Sequence, residues 1–166
     1  MFDSEYVFRG KHADMVKRLT APLGANIKKS IFETNYDVYA VAPFVGYLYS
    51  RTAEIDHSSD ANTKIFGDKM MNEAENLKYN YRILMLLIYK DKTQEEKTKI
   101  AFKLDKDDEA RAEYDKVYDS YVRGGVEILS EKIFADSKEI DGYIMNMYNF
   151  MNEFNNRYFA ETVDIA

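Results

Sequence analysis

The 166-residue chain contains no cysteine and no tryptophan, and it has only two prolines and seven glycines. Without cysteine there can be no disulfide, no thiolate nucleophile and no cysteine-ligated zinc site, which fits a reducing compartment. So few glycines and prolines do not supply the turns that an all-β fold of this length requires. Residues that favour helices, such as Lys, Glu, Leu, Met and Ala, are plentiful instead.

The sequence shows no membrane-spanning run. Residues 38–49 carry no charge, but this apolar run is only twelve residues long and is interrupted by Pro43 and Gly46. A bilayer span needs about 20 apolar residues, so the run predicts a buried core helix. The first residues, MFDSEYVFRGK, have no cationic segment followed by an apolar one, so we expect no secretory signal. We therefore expect a cytoplasmic protein with no membrane contact.

The net charge of −6 is unevenly distributed along the chain. Residues 1–52 hold seven Lys or Arg against five Asp or Glu (+2), and residues 53–166 hold sixteen against twenty-four (−8). The overall balance argues against a general nucleic-acid coat protein, which is usually basic. One alternative function is nevertheless nucleic-acid binding through the basic N-terminal third, with five candidate residues: Lys11, Lys17, Arg18, Lys28 and Lys29.

The spacing of apolar residues predicts an all-α fold. We expect a single domain over residues 1–166, built as a bundle of about six helices around core segments 38–49 and 77–89. Residues 6–9 are β-prone, so the bundle can include one short N-terminal strand.

Local signals indicate where helices begin and end. Thr34 or Asn35 is expected to cap the apolar helix, and residues 93–96, TQEE, have the form of a capping box. Asp68 is expected to cap one long helix that runs to about residue 90. Residues 57–63, HSSDANT, are expected to form a loop.

The adjacent Gly124 and Gly125 interrupt an apolar helical pattern. Two glycines cost a helix about 2 kcal/mol relative to two alanines. The pair therefore predicts a kink, a break or a close crossing of two helices.

Fourteen tyrosines and ten phenylalanines make the chain rich in aromatic residues. Tyrosine combines a large apolar area with one polar tip, so it suits core borders and protein interfaces. Methionines in the predicted last helix add an adaptable packing surface. We predict a protein-binding face on that helix, formed by Tyr143, Met147, Tyr148, Met151, Phe154 and Tyr158.

Arg51 and His57 carry the main catalytic alternative. An Arg followed four to six residues later by a His resembles the pattern of HEPN ribonucleases, small all-helical enzymes that act as dimers without a metal. The resemblance implies that imidazole and guanidinium act on a scissile RNA phosphate. The chain departs from the pattern at Thr52, where those enzymes have Asn, Asp or His.

A metal site is a further alternative, because Glu54 and His57 are three residues apart. On a helix this spacing makes half of a di-iron site. The second half is missing, since Arg9 stands three residues before His12, the only other histidine. We therefore predict no metal and no cofactor.

The N-terminal third carries motifs that occur together in one family. They are Phe8-Arg9-Gly10-Lys11, Val16-Lys17-Arg18-Leu19-Thr20, Phe32-Glu33-Thr34, Asp37-Val38, Gly46 and Arg51. Over residues 6–57 the chain therefore resembles small accessory proteins of bacterial DNA-phosphorothioation and related anti-phage clusters. The resemblance implies a defence accessory that acts within a larger protein–DNA machine.

The sequence thus predicts a non-catalytic helical subunit that binds protein partners in a bacterial cytoplasmic complex. Assembly with further copies of the chain is left open. The ribonuclease and the nucleic-acid accessory are the two alternative functions.

Overall fold

The computed structural model describes residues 1–24, 27–137 and 139–159, without the side chains of residues 157–159. It is 65% helical. The helices are α1 (Gly10–Thr20), α2 (Asn35–Leu48), α3 (Gly67–Asn72), α4 (Ala74–Ile88), α5 (Gln94–Phe102), α6 (Asp108–Phe134) and α7 (Ile140–Phe159). The strands are β1 (Tyr6–Arg9), β2 (Pro22–Gly24), β3 (Ile27–Ser30) and β4 (Asn62–Ile65).

The structure confirms that the fold is mostly helical, but it is not a purely all-α bundle. The described residues form seven helices and two small antiparallel sheets, β1 with β4 and β2 with β3. β1 confirms the predicted N-terminal strand, and Tyr6 pairs with Ile65 at one end of its register. Its partner β4 starts inside the predicted loop 57–63, because strand pairing between distant segments leaves no local sequence signal.

Thr34, one of the two residues predicted to cap helix α2, is its N-cap and forms a capping box with Asp37. Thr34 Oγ1 accepts a hydrogen bond from the Asp37 backbone N–H, and the Asp37 carboxylate accepts one from the Thr34 N–H at 2.8 Å. Val38 and Ala42 are fully buried, but Val41 is 42% exposed. The apolar helix is therefore covered along most of its surface, as predicted, and Val41 is its exposed residue.

The segment expected to form one long helix after Asp68 is divided in two. Phe66 occupies the N-cap position of α3 without a side-chain hydrogen bond, and Asp68 lies in the first turn. The helix breaks at Glu73 before α4 begins. The predicted capping box of α5 is confirmed, because Thr93 accepts from the Glu96 N–H and the Glu96 carboxylate accepts from the Thr93 N–H.

Helix α6 runs unbroken through Gly124 and Gly125 and crosses α2 at close range. A Cβ at Gly125 would overlap the carbonyl oxygen of Ala42, and one at Gly124 would overlap that of Arg51. On the facing helix, a Cβ at Gly46 would overlap the carbonyl oxygen of Tyr121. Of the three predicted outcomes for the glycine pair, the structure shows the close crossing.

Helix α1 starts at Gly10, whose φ of +54° lies in the left-handed region that favours glycine. Arg9 at its N-cap provides no side-chain hydrogen bond. Instead, the Asp56 carboxylate accepts from the Lys11 N–H at 2.6 Å. A remote loop residue therefore caps this helix. Within the described residues, no helix is both long and apolar enough to cross a membrane.

Gly125→Ala tests the helix crossing. Alanine favours a helix by about 1 kcal/mol over glycine, but overpacking against a backbone carbonyl that cannot rotate away costs more. We expect a net loss of at least about 2 kcal/mol in the free energy of unfolding, measured by chemical denaturation. Gly67→Ala is the matched control, because its Cβ would have no neighbour nearer than 3.5 Å. Equal stability of the two variants would contradict the crossing.

Candidate functional site

The last helix, α7, packs one side against α6. The Tyr143 ring meets Phe134 edge-on at 5.0 Å between centroids, and Phe150 lies 5.8 Å from Tyr49. Asn146 Nδ2 donates hydrogen bonds to the carbonyl oxygens of Ile133 at 3.1 Å and Ala135 at 2.8 Å. These contacts bury the inner side of α7 within the protein itself.

Met147 and Phe154 are half-buried and line an apolar groove of about 390 Å³. Its other walls come from residues 31–32, from Val41 on α2 and from Leu129 on α6. Met147, Phe154 and Tyr143 are members of the predicted binding face that the structure leaves only partly exposed, and their part in partner binding stays a prediction. The side chain of Tyr158 lies outside the described residues.

The opposite side of α7 is exposed and apolar. Ile144 is 52% exposed, Met145 58%, Tyr148 61% and Met151 65%. We call these four residues the outer face of α7. Tyr148 and Met151 belong to the predicted binding face, whereas Ile144 and Met145 were missing from it.

The outer face lies in a stretch without charge, since residues 142–152 contain no Asp, Glu, Lys or Arg. A solvated helix normally carries charges on its free side. This lack of charge is the sequence signal that points to Ile144 and Met145. The uncharged stretch therefore coincides with the exposed apolar side of α7.

Apart from the apolar outer face of α7, the structure contains a cluster of charged and polar side chains around Glu127 on α6. It includes Lys11, His12, Arg51 and Glu131. Lys11 Nζ and His12 Nε2 lie 2.8 and 3.1 Å from Glu127 Oε1. An Arg51 guanidinium nitrogen lies 3.2 Å from both Glu127 Oε2 and Glu131 Oε1. We call this group the Glu127 cluster.

Burial and hydrogen bonding compete within the Glu127 cluster. Burial alone would raise the pKa of Glu127, but hydrogen bonds from Lys11, His12 and Arg51 outweigh it and hold that pKa below its ordinary value. Burial lowers the pKa of His12, and Glu127 offsets this only in part. The ionised Glu127 carboxylate is therefore surrounded by a neutral His12 and by two cations, Lys11 and Arg51.

Arg51 and His57 have different surroundings among the described residues. Arg51 points to the two carboxylates of α6, whereas His57 is exposed and borders a surface depression with Arg9 and Asn62. The ribonuclease pattern requires a dimer in any case, so this hypothesis stays a prediction.

The structure does not support Glu54 and His57 as half of a di-iron site, because that site requires both residues on one helix. Glu54 and His57 lie on an irregular segment that has no helix, so their spacing does not place them on one helical face. In the part of the chain that the structure describes, no group of three or more His, Asp or Glu residues could hold a metal ion.

Two of the five predicted nucleic-acid contacts are used inside the protein. Lys11 binds Glu127, and the Arg18 guanidinium lies 3.8 Å from the centre of the Phe134 ring. Lys17 is near Asp14 at 3.9 Å, and Lys28 and Lys29 are exposed on β3. The nucleic-acid alternative stays a prediction that depends mainly on the last three residues.

Comparison with known proteins identifies a family. A family model described as DNA sulphur modification system-associated protein 4 matches residues 9–164. No curated protein and no solved structure matches the chain. The match confirms the resemblance predicted from residues 6–57 and extends it over the acidic, tyrosine-rich remainder of the chain.

Glu127→Gln tests the Glu127 cluster. The substitution leaves two cations beside a neutral amide, and breaking a buried ion pair is strongly destabilising. Lys11 and Arg51 are 54% and 41% exposed, so water offsets part of the loss. We expect the free energy of unfolding to fall by about 2 kcal/mol in chemical denaturation.

Glu131→Gln is the matched control, because Glu131 binds the same arginine but is 54% exposed. Exposed ion pairs contribute less than about 1 kcal/mol. If Glu127→Gln and Glu131→Gln lower the free energy of unfolding equally, the buried Glu127 carboxylate contributes no more to stability than the exposed one of Glu131.

Proposed function

The chain belongs to the DNA sulphur modification system-associated protein 4 family, and from this premise we propose that it is a non-catalytic accessory subunit of such a system. It binds another protein of the system through the outer face of α7. This assembly acts in the bacterial cytoplasm, in DNA modification or anti-phage defence.

The exposed, uncharged outer face of α7 is the observation that carries this proposal. Four large apolar side chains, each more than half exposed, lie on one side of a helix whose other side is already packed. Protein interfaces are enriched in aromatic residues and methionine and depleted of charge at their centres. Ile144, Met145, Tyr148 and Met151 match that composition.

The position of α7 also supports binding. Its inner side is fixed to α6 by the edge-on contact of Tyr143 with Phe134 and by the Asn146 hydrogen bonds, so the outer face is presented on a rigid element. A surface held in this way loses little conformational entropy on association. The adjoining apolar groove, with Met151 on its rim, extends the same surface towards α2.

Tyr148→Glu tests the proposal. The tagged chain is produced together with the other proteins of the modification system, and the complex is isolated and its affinity measured. A charge at the centre of an apolar interface is left desolvated, so we expect the complex to weaken at least about tenfold. Because Tyr148 is exposed, the unfolding free energy should change by less than about 0.5 kcal/mol.

Asn149→Glu is the matched control, since it adds the same charge at an exposed polar position one residue further along α7. This variant should bind like the natural chain. If both variants bind equally well, or if the chain forms no complex with any protein of the system, the proposal is wrong. If only copies of this chain assemble through the face, the partner assignment is wrong.

A further inference from the structure

A polar cavity of about 180 Å³ lies between the first residues of the chain and helices α4 and α6. One water molecule occupies about 30 Å³ in the liquid, so the cavity has room for a small molecule. Its aromatic wall consists of Phe2, Tyr6, Tyr39, Tyr81 and Tyr118. The rings form one cluster, with 5.2 Å between the centroids of Tyr81 and Tyr118.

Two buried phenol groups in this wall have oxygens that accept no hydrogen bond. Tyr81 and Tyr118 are 2% and 1% exposed; the Tyr81 hydroxyl interacts with the Asp115 carboxylate, whereas the Tyr118 hydroxyl has no hydrogen-bond partner among the described residues. Buried hydroxyls are nearly always paired, because an unpaired one has lost its hydration without compensation. A polar occupant of the cavity would supply the missing partner.

The charges around the cavity favour a cation. Four carboxylates line it, from Asp3, Glu5, Asp115 and Asp119. Within the described residues, Asp3 pairs with the N-terminal amine, Glu5 with Lys64 and Asp115 with Arg111. Four of the five N–H donors of Arg111 bind Asp108, Asp115 and two backbone carbonyls, and the two carboxylates already balance its charge.

Asp119 is the carboxylate with the weakest compensation. Burial raises its pKa to about 7, and the charge of Arg123 offsets this only in part. Arg123 itself donates from Nε to the carbonyl oxygen of Ala53 at 2.8 Å. A cation beside Asp119 would therefore complete the charge balance of the cavity.

We propose that this cavity binds the ammonium group of a small primary alkylamine. An ammonium group has three N–H donors, and the site has three acceptors that need partners: the Asp119 carboxylate and the hydroxyl oxygens of Tyr81 and Tyr118. The ring faces add cation–π attraction. No residue of α7 lines the cavity, so this site is independent of the proposed protein-binding face.

Calorimetric titration with n-butylammonium chloride tests the site. At about pH 8 Asp119 is mostly ionised, and the chloride concentration is held constant. For a ligand of this size we expect saturable binding with a Kd of about 1 mM. The neutral analogue 1-butanol should not bind, because it carries neither the charge nor three donors.

Two variants assign the binding to this cavity. Tyr118→Phe and Asp119→Asn should each weaken n-butylammonium binding about tenfold or more. Asp60→Asn, which removes an exposed carboxylate away from the cavity, should leave the Kd unchanged. Tyr118→Phe removes only an unpaired hydroxyl, so its melting temperature should not fall. If Asp119→Asn does not fold, the Kd of n-butylammonium in Tyr118→Phe and Tyr81→Phe tests the proposal instead.

Three results would overturn the proposal: no saturable binding up to about 20 mM, equal binding of 1-butanol, or an unchanged Kd in Tyr118→Phe. The same ammonium group could belong to a free amine or to a lysine side chain of another protein. A parallel titration with Nα-acetyl-lysine N-methylamide separates these sources. Tighter binding of n-butylammonium assigns the site to a free amine, and tighter binding of the lysine derivative assigns it to a side chain.

Discussion

Helices α2 and α6 approach each other until their backbones touch, and the rest of the fold depends on this contact. Gly46, Gly124 and Gly125 make it possible, because any side chain at these positions would overlap a carbonyl group of the opposite segment. The chain then leaves α2 along the surface of α6. The Arg51 N–H bonds to the Gly46 carbonyl at 2.8 Å, and the Ala53 N–H bonds to that of Ser120 at 3.0 Å.

This exit segment organises the polar side of the protein. It places the Arg51 guanidinium against the carboxylates of α6, and it places Asp56 at the N-terminus of α1. Hydrogen bonds from the Lys11 backbone N–H and from Ser58 lower the pKa of Asp56 to about 2. The carboxylate therefore stays ionised as a helix cap, and α1 is held where Lys11 and His12 reach Glu127.

The two proposed functional regions lie on different elements. The outer face of α7 is exposed because α7 uses its inner side to cover α6 and α2. The tyrosine-lined cavity lies under residues 1–5 and draws its polar groups from α4 and α6. Helix α6 thus supports both regions, while each can be altered without touching the other.

Local chemistry in the sequence determined much of the fold. Apolar spacing and capping residues predicted α2 and α5, and the β-prone segment 6–9 predicted β1, because these signals depend only on neighbouring residues. The motifs of the N-terminal third also identified the family. The sequence did not predict the β1–β4 pairing or the division at Glu73, since both depend on contacts between distant segments.

The sequence by itself therefore determined a mostly helical, cysteine-free chain with an aromatic-rich last helix. Only the tertiary structure decided which side of that helix is free, that Arg51 and Lys11 share one buried carboxylate, and that the Tyr118 hydroxyl lacks a partner. The physical reason is that exposure, ion pairing and hydrogen-bond satisfaction are properties of packed surfaces. They are fixed only when the α2–α6 crossing brings residues from opposite ends of the chain together.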